Sequence, residues 1–413
     1  MESGDHSQER GWKAWLCVLG AFCSLFSTFG FLNAIGVFQA TYRETSLKNY
    51  TPSEISWIFA IQLALMWAPG SFFGCLVDVY GPTRTMVPCS LLCVFSLCMT
   101  SFSKHYYQIF LSQGLGFGIG AGGNFTASMV CIGQWFVGRR GLAIGIAMSG
   151  GSLGGVIFPI FFTRVKEAVG FDSAIRYTAL IIGVFLAAAC LLVTSPLPRK
   201  RWNTQQTWFQ VSLFRDYTFS LYTAAAFFIM WGIWAPFDYL PEMARQQGFT
   251  PSTSLYLISI INATSLPGRI LPAYLGDRLG LEKVIISAAS STGLAILCLW
   301  LPFEFHHSHT GVIVFAAIYG FVSGAFISLL IPFASRAGSL ETLGQRIGAF
   351  QTVLGVSNLT GLPILGAILD QQHNTHFWGL IQFAFTSITL GTALLLVAIV
   401  IGRHRFKVSR EAA

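Results

Sequence analysis

Residues 51–84 read TPSEISWIFAIQLALMWAPGSFFGCLVDVYGPTR, and at a constant offset of 199 residues 250–283 read TPSTSLYLISIINATSLPGRILPAYLGDRLGLEK. Laid on one another without a gap, the two agree at eight of 34 positions. The agreements cluster at the ends: Thr51-Pro52-Ser53 against Thr250-Pro251-Ser252, and Asp78-x-x-Gly81 against Asp277-x-x-Gly280. A threonine N-cap followed by proline opens a helix, and Thr51 with Glu54 also writes a capping box. Between the caps the residues are mainly apolar and fill the ~20 positions that a bilayer core requires. The stretch reads as one membrane helix occurring twice, which predicts a chain built from two related halves.

The composition agrees. Of 413 residues, 54% are hydrophobic and 10% charged, with a mean hydropathy of +0.62, whereas soluble domains are about one-quarter charged. Twelve long apolar stretches follow: 15–40, 56–77, 85–103, 108–135, 142–163, 177–195, 217–240, 254–276, 284–302, 311–335, 347–369 and 377–402. They do not alternate as barrel strands would, so an all-helical bundle is expected, with backbone polar groups satisfied inside each helix. The expected fold is therefore an all-α membrane protein of twelve transmembrane helices in two six-helix halves, 1–195 and 217–413. Residues 196–216, PLPRKRWNTQQTWFQVSLFRD, form the linker; Arg199, Lys200 and Arg201 read as a solvated loop or as a contact with anionic lipid.

Orientation follows from the positive-inside rule. The side holding both termini carries 17 Lys and Arg, the other side seven, and Arg269 alone lies inside a span, which completes the 25. Both termini are expected to be cytoplasmic, and the net charge of +8 needs no nucleic-acid partner. The sequon Asn49-Tyr50-Thr51 falls in an external loop as a glycosylation candidate, with Pro52 after it. The cysteines, mostly within apolar stretches, read as small hydrophobes rather than as a disulfide framework. The first apolar stretch is too long for a cleavable signal peptide.

With the ends of the repeat written as Gly74-x-x-x-Asp78-x-x-Gly81-x-x-Arg84 and Gly276-Asp277-Arg278-Leu279-Gly280, the chain resembles the major facilitator superfamily. ERGWKAWLCVLGAF (9–22), FGFLNAIGVFQ (29–39), WFVGRRGLAIGIAMSGGSLGG (135–155), TPSEISWIFAIQ (51–62) and YLPEMA (239–244) resemble its monocarboxylate porter family, especially the fungal branch. The resemblance implies a secondary active transporter working by alternating access, not an enzyme, with no cofactor, acting as a monomer in a fungal plasma membrane. It also implies that Asp78, Gly81, Arg84, Asp277, Arg278 and Gly280 form gating turns that latch the cytoplasmic side. Animal monocarboxylate carriers have a lysine in span one, and an acid and an arginine one turn apart in span eight. Here Asn33 stands at the lysine position and Ser265 at that of the acid, and only Arg269 matches. The familiar route of lactate–proton symport is not supported by that set.

Arg269 lies eight residues before Asp277, about 12 Å at ~1.5 Å per residue, and so well inside the hydrocarbon core, where it must face protein or a watery cavity. Asn262, Ser265, Arg269, Ala273 and Gly276 recur at steps of three and four and make one small, polar stripe. Arg269 thus reads either as a binder of an anionic or acceptor group of the substrate, or as a tie between helices. By the implied architecture, spans one, four, seven and ten line the path. The candidate substrate-binding residues are Arg269, Asn33, Asn124, Asn262, Trp231, Trp234 and Tyr319, beside Phe29, Phe125 and Phe237.

Such aromatic and amide walls suit a sizeable, partly apolar molecule better than a small acid. Asp238 is a candidate carrier of a coupling proton, or a solvated residue of the external mouth. Gly114, Gly118 and Gly122, Gly141 and Gly145, and Gly320 and Gly324 predict close helix contacts. His306, His307 and His309 lack the partners of a metal site, and no nucleophile triad, Walker motif or zinc pattern occurs. The function expected is export or exchange of an organic acid-like or secondary metabolite. The alternatives are uptake of a monocarboxylate or a vitamin such as riboflavin, and a non-transporting membrane receptor.

Overall fold

A computed structural model of the chain describes residues 11–44, 46–198, 208–336, 340–373 and 376–411. Among them there is no strand. We number the long helices in chain order. α1 is built from Trp12–Ser27, Phe29–Leu32 and Ile35–Glu44, and α2 from Pro52–Trp67 and Gly70–Tyr80. α3 is Pro82–Phe102, and α4 joins Tyr106–Ile109 and Gly118–Trp135 through a π-helical stretch, Phe110–Phe117. α5 is Arg140–Val169 and α6 Phe171–Leu192. The second half comprises α7 (Tyr217–Ile233 with Ala235–Gln246), α8 (Pro251–Leu279), α9 (Leu281–Ala295, Ile296–Trp300 and Leu301–Phe305), α10 (His309–Ala334), α11 (Leu343–Gln371) and α12 (Trp378–Glu411).

Eleven helical stretches among the described residues are long and apolar enough to cross a membrane. The remaining long helix is α8, whose 29 residues reach about 43 Å at ~1.5 Å each; it is the helix that carries Arg269. The protein is thus a multi-pass, all-helical membrane protein. Of the linker, 199–207 lie outside the described residues, including the basic Arg199, Lys200 and Arg201; Val211–Arg215 form one short 3-10 turn before α7.

The caps form as the repeat requires. The Thr51 hydroxyl accepts the Glu54 N–H while Glu54 accepts the Thr51 N–H at 2.7 Å. The Thr250 hydroxyl likewise accepts the Thr253 N–H at 3.2 Å. At the other end Gly81 (φ 82°) and Gly280 (φ 100°) sit in the left-handed region that an L side chain resists, so each closes one helix and starts the next within a single residue. Gly170 (φ 84°) does the same between α5 and α6, and after α11 a non-glycine residue, His373, also has a positive φ, 55°.

Glycine also sets how close the helices come. A Cβ on Gly118 would lie 3.1 Å from the Gln62 carbonyl of α2, and one on Gly324 would lie 2.9 Å from the Ser265 carbonyl of α8. Small residues spaced four apart let backbones approach in this way. Between the halves, α5 packs along α8 from Gly141 against Asp277 to Gly155 against Asn262, a seam about 21 Å long at ~1.5 Å per residue. α2 packs on α11 from Gly74 against Gly344 to Ala68 against Gly355. On the C-terminal half, Glu282 of α9 binds Arg403 of α12 at 2.7 Å and Arg336 after α10 at 3.5 Å.

Candidate functional site

The two Asp-x-x-Gly turns meet the opposite halves. The Asp277 carboxylate, at the end of α8, accepts the N–H of Gly141 at 2.9 Å and of Leu142 at 2.7 Å, the first free amides of α5. The Asp78 carboxylate, at the end of α2, accepts the N–H of Gly344 at 3.2 Å and of Gln345 at 3.1 Å, the first free amides of α11. A helix N-terminus offers unpaired N–H groups and a partial positive charge, so an aspartate placed there is bound by both. The sequence pattern points to the next helix along the chain as the donor. In the structure these backbone donors come from the other half, so each repeated turn cross-links the bundle; Asp78 also accepts from Gln134 Nε2 of its own half at 3.4 Å.

Arg140 adds to this end: its guanidinium donates to the carbonyls of Gly133 and Phe136 and, across the halves, to that of Ser335 at 3.2 Å. Arg84 is exposed on the first turn of α3, and the Arg278 guanidinium lies over the Tyr274 ring at 4.8 Å.

Further into the bundle the polar stripe of α8 meets α5. The Ser265 hydroxyl bonds the Ser152 hydroxyl at 2.7 Å, and Asn262 packs against Gly155. Arg269 is only 1% exposed. Its Nη1 donates to the Met148 carbonyl of α5 at 2.5 Å, its Cζ stands 5.2 Å from the Phe29 ring of α1, and its Nε has no partner. Both readings of this arginine thus have an observation behind them: one nitrogen ties the halves, and another is free.

Phe29 is the middle of a chain of buried rings. It lies 6.2 Å from Phe125 of α4 and 6.0 Å from Trp234 of α7; Phe125 lies 5.0 Å from Trp67 of α2, and Trp234 5.5 Å from Phe237. Two amides of α11, seven residues apart on one face, close the ring. Gln351 accepts the Thr126 hydroxyl proton at 2.8 Å, and Asn358 accepts the Trp234 indole N–H at 2.9 Å. Trp67 Nε1, Gln351 Nε2 and Asn358 Nδ2 are buried without a partner. Each buried, unpaired donor costs about 1–3 kcal/mol, so their clustering calls for an explanation.

The other candidates fall in different places. Asn33 donates to the Gly151 carbonyl at 3.2 Å, and Asn262 donates to the Ile258 carbonyl at 3.0 Å while its Oδ1 stays unpaired; both border the seam. Asn124 turns away from it, accepting from Ser90 of α3 and donating to the Gly120 carbonyl. Trp231 is directed to α11 and α12, bonding Thr360 and stacking near Phe383. Tyr319 spends its hydroxyl on the Ile233 carbonyl at 2.6 Å, where α7 breaks. Asp238 and Glu242, one turn apart beyond that break, are exposed, and Asn49 is exposed in the turn after α1. Trp67, Gln351 and Asn358 are not among the candidates taken from the sequence; the signal for them there is an amide or indole inside an apolar span.

Two halves of six helices, joined at one end by reciprocal aspartate caps, enclose an aromatic seam, and comparison of the sequence decides the family. The sequence model of the Major Facilitator Superfamily matches residues 17–302 and 273–413. The chain belongs to the major facilitator superfamily. As a member of it, the protein is a membrane transporter and not an enzyme.

This transporter is 42% identical over 395 residues to the MFS-type transporter hasB of Aspergillus fumigatus, covering 92% of this chain and 88% of that one. It is 36% identical over 391 residues to the Fujikurins efflux protein of Gibberella fujikuroi, covering 94% and 82%. With the Agnestins efflux protein AgnL12 of Paecilomyces divaricatus it shares 35% over 386 residues, covering 94% and 87%. In fold it is similar to the human organic anion transporter MFSD10 (TETRAN), with a TM-score of 0.70 at 15% identity over 94% of this chain and 99% of that one.

Proposed function

We propose that this transporter exports an organic acid-like secondary metabolite from the cytosol. The observation that carries the reading is the seam itself. It is walled by Trp67, Phe125, Phe29 and Trp234, with Arg269 as the buried cation beside it. Extensive aromatic walls bind a sizeable apolar frame, while a small acid needs fixed charges to replace its hydration. The two relatives named as efflux proteins for fujikurins and agnestins support the same direction. The monocarboxylate-porter reading, with uptake of a monocarboxylate or a vitamin such as riboflavin, is the alternative. It fits less well because Ser265, at the position of the coupling acid, is engaged with Ser152.

In this reading Arg269, Asn33, Asn262 and Trp234 meet the substrate. Asp78, Gly81, Arg84, Asp277, Arg278 and Gly280 serve the gate, and Asp238 carries a coupling proton. Both termini lie in the cytoplasm, the membrane is the plasma membrane, the carrier works as a monomer, and the 196–216 linker lets the 1–195 and 217–413 halves rock.

The test is metabolite profiling of a deletion strain, cells against medium. Export predicts that at least one secondary metabolite is retained in the cells and restored to the medium by the intact gene. An unchanged cell-to-medium ratio for every such compound refutes export. Absence of substrate-dependent flux in sealed vesicles would point instead to a receptor.

A further inference from the structure

Four of the orphaned polar atoms, those linked through Phe29 and Phe125, are donors; the orphaned acceptor of the α8 stripe, Asn262 Oδ1, lies two turns from Arg269, against Gly155. The Trp234 indole can only donate, so the Asn358 oxygen must face it, and the Asn358 NH2 necessarily points elsewhere. Trp67 Nε1 and Arg269 Nε are donors by their chemistry, and Gln351, with its oxygen on Thr126, presents its NH2 as well. All four side chains are at most 1% exposed. They are also neighbours. Trp67 touches Phe125, whose successor Thr126 holds Gln351; Phe125 leads to Phe29, Phe29 to Trp234, and Trp234 to Asn358, while Arg269 lies over Phe29. Donors supplied by α2, α8 and α11 are therefore linked through one pair of phenyl rings.

We infer that these donors are a specificity device of the carrier, reading a flat aromatic substrate that carries several carbonyl-type acceptors and one acidic oxygen. The inference rests on the export reading and names the substrate class it leaves open. Rings of the substrate lie against Phe29 and Phe125. Its carbonyl oxygens accept from Trp67, Gln351 and Asn358, and its phenolate, enolate or carboxylate meets Arg269. A flat cation is refused, because the seam offers it donors and a like charge. The pattern also gives these buried donors a role. A site built to bond acceptors rejects an analogue that lacks them, since the same donors then stay unpaired.

The experiment uses binding, so that it is separable from transport. The purified full chain in nanodiscs is titrated calorimetrically with anthraquinone-2-carboxylate, with anthracene-2-carboxylate, which has the frame and charge but no ring carbonyls, and with the flat cation 9-aminoacridine. The quinone is expected to bind about ten-fold or more tightly than the anthracene acid, and the cation not at all. Asn358→Leu is expected to reduce the ratio of quinone to anthracene-acid affinity by about ten-fold. If Asn358→Leu does not fold, Gln351→Met carries the same expectation, and the comparison of probes on the unmodified chain stands without any variant. Equal affinity for quinone and anthracene, no quinone binding, or a folded variant with unaltered discrimination overturns the inference. Discrimination in nanodiscs with no retained metabolite in the deletion strain would sink export and leave the site; retention without discrimination would do the reverse.

Discussion

Replacing Asp277 with asparagine leaves the shape of the α8 turn and removes the charge that holds α5. The aspartate accepts two backbone N–H bonds across the halves, at 2.9 and 2.7 Å. Charge-assisted bonds are worth ~1.5–3 kcal/mol each and neutral ones ~0.5–1.5. Asparagine keeps one acceptor and turns its NH2 towards an N–H, so the loss lies at about 2–4 kcal/mol. Asp277 is half-buried, and solvent screens part of the difference, which favours the lower end, about 2 kcal/mol.

These bonds exist only while α5 and α8 are together at this end, so the loss falls on one state of the cycle and shifts its population by ~30-fold. Spin labels at the exposed Thr83 and Lys283, one on each half, report the separation of that end by pulsed dipolar spectroscopy in nanodiscs. Asp277→Asn should transfer population from the short to a longer distance and alter the transport rate while insertion stays normal. Asp78→Asn should act in the same direction and more weakly, because its bonds are longer, 3.2 and 3.1 Å. A correctly inserted Asp277→Asn carrier with an unchanged distance distribution and an unchanged rate would refute the latch.

Gly145→Ala would press a methyl onto the Arg269 carbonyl and to 2.8 Å from Ala273 Cβ; since backbone cannot yield, the α5–α8 seam should part and transport should fall at least ten-fold with membrane insertion retained, as surface labelling would show. Tyr319→Phe removes the hydroxyl that caps the Ile233 carbonyl; a loss of about 1–3 kcal/mol of stability is expected, seen as a lower melting temperature with substrate preference unaltered. Asp238→Asn, at an exposed acid beyond the α7 break, should abolish the dependence of transport on an imposed pH gradient while leaving substrate binding within two-fold or so; a gradient response that persists removes Asp238 from proton coupling. Asn49→Gln should eliminate a glycosidase-sensitive mobility shift of the chain, and a chain that shows no such shift to begin with places that turn on the cytoplasmic side or marks the sequon as unused.

The sequence by itself determined the number and nature of the spans and the ends of the repeated helix, because these depend on local chemistry. A run of apolar residues must bury its backbone bonds in a helix, a threonine before proline caps it, and Gly81 and Gly280 close it in a conformation other residues avoid. The stripe Asn262, Ser265, Arg269 and Ala273 was legible for the same reason, since helical spacing alone puts these residues on one face.

What faced that stripe was not legible. That Asp277 binds α5 and Asp78 binds α11, that Arg269 reaches Met148, and that Tyr319 bonds the Ile233 carbonyl at a helix break are contacts between residues 86 to 267 positions apart. Likewise Asn124 and Asn358 are the same residue type in similar apolar surroundings. Only the packing decides that one turns to Ser90 inside its half and the other stands beside Trp234 with its NH2 unpaired. Span positions follow from free energies summed along the chain, whereas the partner of a buried polar atom is fixed by which helices cross, and that is settled by the packing of all twelve at once.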